Sequence, residues 1–344
     1  MEIMCGRSSM SARGAAEASN GGGGRIEGIP TMVDLLEARA LVNRYLRPTP
    51  LHFSHGLSRL SGCEVYVKYE NCSPIRSFKA RGALYSLWRL TADERRAGAI
   101  TESTGNHGQG IAYAGKMLGI PATIVVPSIT PELKRQAIRS FGGELCVFGD
   151  NMSDTGPQTR KMAAESGKTL IEDGADGGLM AGAATIAWEI LQDLPDVQVM
   201  VVPVGSGNLI AATCLVAKRL NPAIRVVGVQ AEGAAAAALS LKRGSIVQSS
   251  IDTFAEGIAD SAPGPLAFEV LKKDVDEIAL VSDKEIGQSI VTVLSETGHV
   301  AEGAGAAAFA ALEKYGSKWA GLKVVPILSG GNLPVERLHS FLHR

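Results

Sequence analysis

At 344 residues the chain is long enough for two lobes, each with its own core. Its 45% hydrophobic and 20% charged content is that of an ordinary globular protein. A formal net charge of −1 and a pI near 6.6 give no electrostatic reason to expect nucleic acid or an anionic membrane as partner.

From the N-terminus, residues 1–30 are rich in Ser, Ala and Gly and include Gly21-Gly22-Gly23-Gly24. They carry no apolar period, so a disordered leader outside the fold is expected there. It lacks the charged-then-apolar pattern of a signal peptide, and no apolar run approaches bilayer-spanning length, so the expected location is the cytoplasm. Met32 to Tyr45 has apolar residues at helical spacing and is stopped by Pro48 and Pro50. Glu64 to Glu70 alternates like a strand, and Phe78 to Leu90 reads as a helix with Lys79 near its start.

A strand–helix rhythm follows. Ala99–Thr101, Ala122–Val126 and Glu144–Phe148 read as strands, and Gly108–Leu118, Pro131–Phe141 and Asp154–Ser166 as helices. It resumes with a strand over Gln198–Pro203, a helix over Leu209–Leu220 and a strand over Arg225–Gln230; Lys323–Leu328 is the final strand. Such alternation predicts an α/β fold with parallel sheets covered by helices on both faces. The expected organisation is a large lobe from residues 31–91 and 174–344, with a small α/β lobe, 92–173, inserted into it.

The five cysteines, Cys5, Cys63, Cys72, Cys146 and Cys214, are odd in number and form no Cys-x-x-Cys pair, so they read as reduced thiols. Cys72 lies near Lys79 but reads as loop or core packing rather than a second nucleophile.

Three glycine-rich turns follow predicted strands: Ser103-Thr104-Gly105-Asn106-His107-Gly108, Gly205-Ser206-Gly207-Asn208-Leu209 and Ser329-Gly330-Gly331-Asn332. Ligands in parallel α/β sheets bind beyond the carboxyl ends of strands, where such turns lie. The Gly205–Leu209 turn opens a helix, so its backbone amides suit a phosphate; without Gly-Lys-Ser/Thr it is not a Walker loop. The glycines of the first turn, Gly105, Gly108 and Gly110, have the wrong spacing for a dinucleotide fingerprint. Ahead of all three stands Lys79, in Ser77-Phe78-Lys79-Ala80-Arg81-Gly82. A lysine amine can form a Schiff base with an aldehyde cofactor and then serve as acid and base at the substrate carbon.

Together, in this order, these segments resemble the threonine/serine ammonia-lyase and serine racemase family of pyridoxal 5′-phosphate (PLP) enzymes. The resemblance spans roughly Leu41 to Leu333 and implies the two-lobed, parallel-sheet-rich fold type II of the tryptophan synthase β-subunit. It implies that Lys79 is the Schiff-base lysine, with Phe78 against the cofactor and Asn106 on its phenolic oxygen. Gly205, Ser206, Gly207, Asn208 and Leu209 would cup the phosphate, and Gly257 and Glu302 would lie beside the ring. Ser329 would meet the ring nitrogen, and Ser103, Thr104, Gly105, Asn106 and His107 would form the substrate-carboxylate loop. His107 reads as structural rather than catalytic. A hydroxyl rather than a carboxylate at the ring nitrogen makes a weaker electron sink, which favours elimination over transamination.

The implied activity is dehydration and deamination of an L-β-hydroxy amino acid, threonine or serine, to a 2-oxo acid and ammonia. Alternatives are dehydration of 3-hydroxyaspartate or phenylserine, serine racemisation, and a non-catalytic PLP-binding protein. Thr104 replaces the serine that serves as opposite-face base in racemases. Gly105-Asn106-His107-Gly108 departs from the Gly-Asn-Thr-Gly of the β-replacement branch. Gln230 and Ala236 stand where the racemase branch has acidic metal ligands, so no metal is expected. Glu172-Asp173-Gly174-Ala175-Asp176 and Gly182-Ala183-Ala184-Thr185 depart from the family's His-Pro-Phe-Asp and Gly-Gln-Gly-Thr, which flank the substrate. The resemblance further implies a homodimer or homotetramer.

Overall fold

The computed structural model describes residues 24–342, without the side chain of Ser153. The leader expected over residues 1–30 lies outside the described residues as far as residue 23. Residues 24–30 lie on the fold. Gly177 N–H donates to Ile26 O at 3.1 Å, Arg89 Nε to Gly24 O at 2.7 Å, and Ile26 packs against the core.

Among the described residues ten strands form two sheets. The larger is built from β1 (Leu51–Phe53), β2 (Glu64–Tyr69), β7 (Val199–Pro203), β8 (Arg225–Ala231), β9 (Glu277–Val281) and β10 (Lys323–Leu328), in the order β1-β2-β10-β7-β8-β9. The smaller is built from β3 (Ala99–Glu102), β4 (Ala122–Val126), β5 (Glu144–Val147) and β6 (Thr169–Leu170), in the order β5-β4-β3-β6. Every pairing is parallel except that of β1 with β2.

The central strands are continuous apolar runs because both faces of the large sheet are covered. Side chains alternate across it. Met200, Val202, Val325 and Ile327 enter one core beneath the helices Thr185–Asp193 and Asn208–Leu220. Val199, Val201, Val324 and Leu328 enter another, against the alanine-rich helix Gly303–Tyr315. A third core joins the small sheet to the helix Lys79–Trp88 through Ala83, Leu84, Ile111 and Ile124.

The helix Lys79–Trp88 is gripped at close range. A Cβ on Gly110 would lie 3.0 Å from Lys79 O, and one on Gly82 would lie 2.6 Å from Leu179 O. Beneath it Arg81 is buried in a charge network. It donates to Glu70 at 2.7 and 2.9 Å, to Glu189 at 2.5 and 2.8 Å and to Thr185 Oγ1 at 2.9 Å, while Lys68 Nζ donates to Glu189 at 2.5 Å. Two cations thus face two carboxylates, which makes burial of all four tolerable.

The cysteines Cys63, Cys72, Cys146 and Cys214 are free; Cys5 lies outside the described residues. No helix among the described residues is long and apolar enough to cross a membrane.

Candidate active site

Because the strands are parallel, their carboxyl ends collect the connecting loops, and loops from both sheets line one cleft of about 1000 Å³. Its lining includes Phe78, Lys79, the whole Ser103–His107 loop, Gly257, Glu302 and Ser329. The structure therefore gathers motifs separated by 250 residues (79 to 329) in sequence. Gly205–Leu209 is not part of that lining. It lies behind Asp173 and Asp260, which are.

Lys79 begins its helix, and its position is fixed from the β10 side. Phe78 N–H donates to Ser329 O at 3.1 Å, and Ser77 pairs with Gly330 in an isolated antiparallel bridge. The ammonium lies 5.1 Å from the Phe78 ring centroid and is ion-paired with Asp173. Asp173 in turn accepts from Asn208 Nδ2 at 2.7 Å. Burial alone would push the Asp173 carboxyl up, but the Lys79 charge and these hydrogen bonds hold it well below the ordinary carboxylate range.

The loop after β3 is ordered at Asn106. Its Nδ2 donates to Glu302 Oε1 at 2.6 Å and its Oδ1 accepts from Asn332 Nδ2 at 2.8 Å. Burial pushes the Glu302 carboxyl up; the Asn106 hydrogen bond opposes this and Glu256 adds repulsion, leaving it at about 7. His107 is buried, with Nε2 3.1 Å from Thr101 Oγ1 and 3.3 Å from Ile171 O. Burial lowers its pKa, so the ring is neutral.

At the Gly205–Leu209 turn, Gly207 has φ +97°, a left-handed conformation that favours glycine. The turn leads into the helix Asn208–Leu220, whose first amides have no intrahelical partner. Asn208 is 4% exposed, and its Oδ1 has no hydrogen-bond partner. A Cβ on Gly205 would collide with Asp260 Oδ2.

The sequence marked Asn332 only as the end of the Ser329 turn, without a role, and did not mark Asp260 or the Lys134–Glu256 ion pair as parts of the site. The one available signal for Asp260 was an acid closing the run Gly257-Ile258-Ala259. Of the two positions where the racemase branch has acidic metal ligands, Gln230 and Ala236, both are buried, and Gln230 Oε1 accepts from Ala238 N–H at 2.9 Å.

A family model for pyridoxal-phosphate dependent enzymes matches residues 42–330. The L-threonine ammonia-lyase of Thermotoga maritima is 38% identical over 316 residues, covering 91% of this chain and 78% of that protein. The catabolic L-threonine dehydratase of Staphylococcus aureus is 37% identical, covering 90% of this chain and 91% of that one. Among solved structures, the processed form of threonine deaminase isoform 2 from Solanum lycopersicum superposes with a TM-score of 0.86 at 31% identity, over 93% of this chain and 95% of that one. Maize serine racemase gives 0.86 at 27% identity, over 92% and 98%. With its parallel two-sheet fold and a cleft built from the segments described above, the chain belongs to the pyridoxal-phosphate dependent enzymes.

Proposed function

We propose that this chain is an ammonia-lyase that dehydrates and deaminates an L-β-hydroxy amino acid, threonine or serine, to a 2-oxo acid and ammonia. The observation that carries this reading is the convergence of Lys79, the Ser103–His107 loop and Ser329 on one cleft, in a chain 38% identical to a threonine ammonia-lyase.

The residues present fit the cofactor, pyridoxal 5′-phosphate. The Gly205–Leu209 turn offers glycines and the first amides of the helix Asn208–Leu220 to a phosphate. Phe78, Asn106, Gly257, Glu302 and Ser329 line the same cleft as Lys79; Phe78, Gly257 and Glu302 would flank the ring, Asn106 would meet its phenolic oxygen and Ser329 its ring nitrogen. When bound, the cofactor supplies an aldehyde for the substrate amine and a ring that delocalises the electron pair left at the α-carbon.

Lys79 would hold the cofactor, and its Nζ would take the α-proton of the substrate. Ser103, Thr104 and Gly105 orient the substrate by its carboxylate, in a loop whose geometry Asn106 and the buried, neutral His107 maintain. Ser329 is a neutral hydrogen-bond partner, so the sink is weak and departure of the β-hydroxyl with the α-proton is the favoured outcome. The enamine released hydrolyses to the 2-oxo acid and ammonia.

In this reading residues 92–173 form the small inserted lobe that supplies the carboxylate loop, and the enzyme is a cytoplasmic homo-oligomer of two or four subunits. Light scattering on a size-exclusion column tests the last point. The activity is tested by 2-oxo acid release from L-threonine, L-serine, phenylserine and 3-hydroxyaspartate. Threonine or serine turning over fastest is the expected result. A chain that binds PLP yet releases no 2-oxo acid from any of them refutes the lyase reading.

A further inference from the structure

Two carboxyl groups stand against the turn assigned to the phosphate. Asp173 is hydrogen-bonded to Asn208 at its helix end. Asp260 touches its glycine end: its Oδ2 occupies the space beside Gly205, and the Ser206 amide pulls its ionisation down. The contact is tight, since the backbone is pinned on both sides. Gly264 N–H donates to Ser206 O at 2.8 Å, and a Cβ on Gly174 would lie 3.1 Å from Ser206 Cβ.

The charged groups facing Asp260 are Asp173, from the loop after β6, and Lys79, from its helix. Lys79 is already engaged by Asp173, so its single positive charge offsets one carboxylate and not both. A phosphate ester adds nearly two further negative charges at neutral pH. Three anions sharing one buried cradle cannot all remain ionised, and of the two carboxyls the one to yield is the one without its own cation. That group is Asp260. Burial first, and Asp173 next, already push its carboxyl up to about 6, against the opposing pull of Lys79 and the Ser206 amide.

We propose that Asp260 is a cofactor-binding residue acting as a neutral carboxylic acid: with the phosphate seated on the Gly205–Asn208 turn, Asp260 holds a proton and donates it in a hydrogen bond to that phosphate. Binding of the phosphate group is then linked to uptake of one proton at this side chain. The inference rests on the assignment of the turn as the phosphate site. The sign follows from linkage: binding raises the affinity of Asp260 for its proton, so cofactor affinity is full at low pH and falls as pH rises above the ionisation of the free side chain.

The test is calorimetric binding of pyridoxine 5′-phosphate, which has no aldehyde and so cannot attach to Lys79, to apoenzyme at pH 8. Running it in two buffers of different ionisation enthalpy counts the protons taken up. Wild type is expected to take up about one proton per ligand, and its affinity to fall about tenfold per pH unit above neutrality. Asp260→Asn should take up almost none and show a flatter profile. No uptake by wild type, a count that needs no variant to fold, overturns the proposal; so does equal uptake by a folded Asp260→Asn. Gly205→Val separates the two readings. Wild-type affinity in that variant would remove the phosphate from the turn altogether. Lost affinity there, combined with an unchanged proton count in Asp260→Asn, would refute only the role of Asp260.

Discussion

Asn106 Nδ2 donates to Glu302 Oε1 at 2.6 Å, which ties the loop after β3 to the start of the helix Gly303–Tyr315 across the cleft. Asn332 Nδ2 is in turn shared between Asn106 Oδ1 and Ile75 O, each at 2.8 Å. The Glu302 carboxyl and the Asn106 and Asn332 amides therefore link separate loops in one chain of hydrogen bonds.

That carboxyl has a folded-state pKa of about 7, raised above its unfolded value mainly by burial. A raised acid binds its proton more tightly in the native state, so its contribution is fully present below the unfolded pKa and is lost as pH rises through about 7. Glu302→Gln should abolish this slope. Between pH 5 and 8 wild type should lose up to about 3 kcal/mol of stability relative to the variant. Urea unfolding of both proteins at the two pH values measures it; parallel behaviour would show that Glu302 ionises freely in the fold.

Lys79→Ala should remove the long-wavelength absorption band of the lysine-bound cofactor, expected near roughly 410–420 nm. Turnover should drop by about three orders of magnitude, since both covalent attachment and proton transfer are lost. Spectra and 2-oxo acid release on PLP-reconstituted protein check this. Substantial retained activity would move the chemistry to another residue.

Arg81→Ala strips the guanidinium from Glu70 and Glu189 and leaves Lys68 alone against two buried carboxylates. Breaking a buried network on one side costs about 3–5 kcal/mol. Because Arg81 is on the same helix as Lys79 and two residues beyond it, the band of bound PLP should weaken too. Thermal unfolding and titration with PLP report the two effects separately, and a melting point unchanged by the substitution would contradict the account.

Asp173→Ala removes a negative charge beside Lys79 in a cleft that also carries Glu102, Glu172 and Asp260. Selectivity should shift toward an acidic substrate. The ratio of kcat/KM for 3-hydroxyaspartate to that for threonine should rise about tenfold, the effect of one partly screened like charge. An unchanged ratio would mean that Asp173 does not face the substrate side group.

Much of this was legible in the chain because the signals are local. The helix Met32–Tyr45 and the strands Ala122–Val126 and Lys323–Leu328 have the bounds that their apolar patterns predict. Other elements carry no such pattern. The helices Gly177–Ala183 and Thr185–Asp193 are buried on most sides and so lack a polar face to set a period. The strand Thr169–Leu170 is only two residues long. Lys79, the Ser103–His107 loop and Ser329 stand out because glycine turns and a lysine segment are contiguous motifs. Asp173 stands out only as part of an acidic segment that departs from the family pattern, and Asp260 not at all, since their contacts come from approach in space. Asp173 meets Lys79 across 94 residues of sequence.

The strand order has a consequence for how the molecule comes into being. β10 lies between β2 and β7, yet it is the last of the ten strands to be synthesised. Until Lys323–Leu328 leaves the ribosome, β2 and β7 have no common neighbour, and the Ser329 carbonyl that holds Phe78 does not yet exist. The small sheet, whose strands are all close in sequence, can assemble while translation continues. A nascent chain thus carries an exposed lysine long before it carries a place for the cofactor, and holoenzyme formation is a post-translational event.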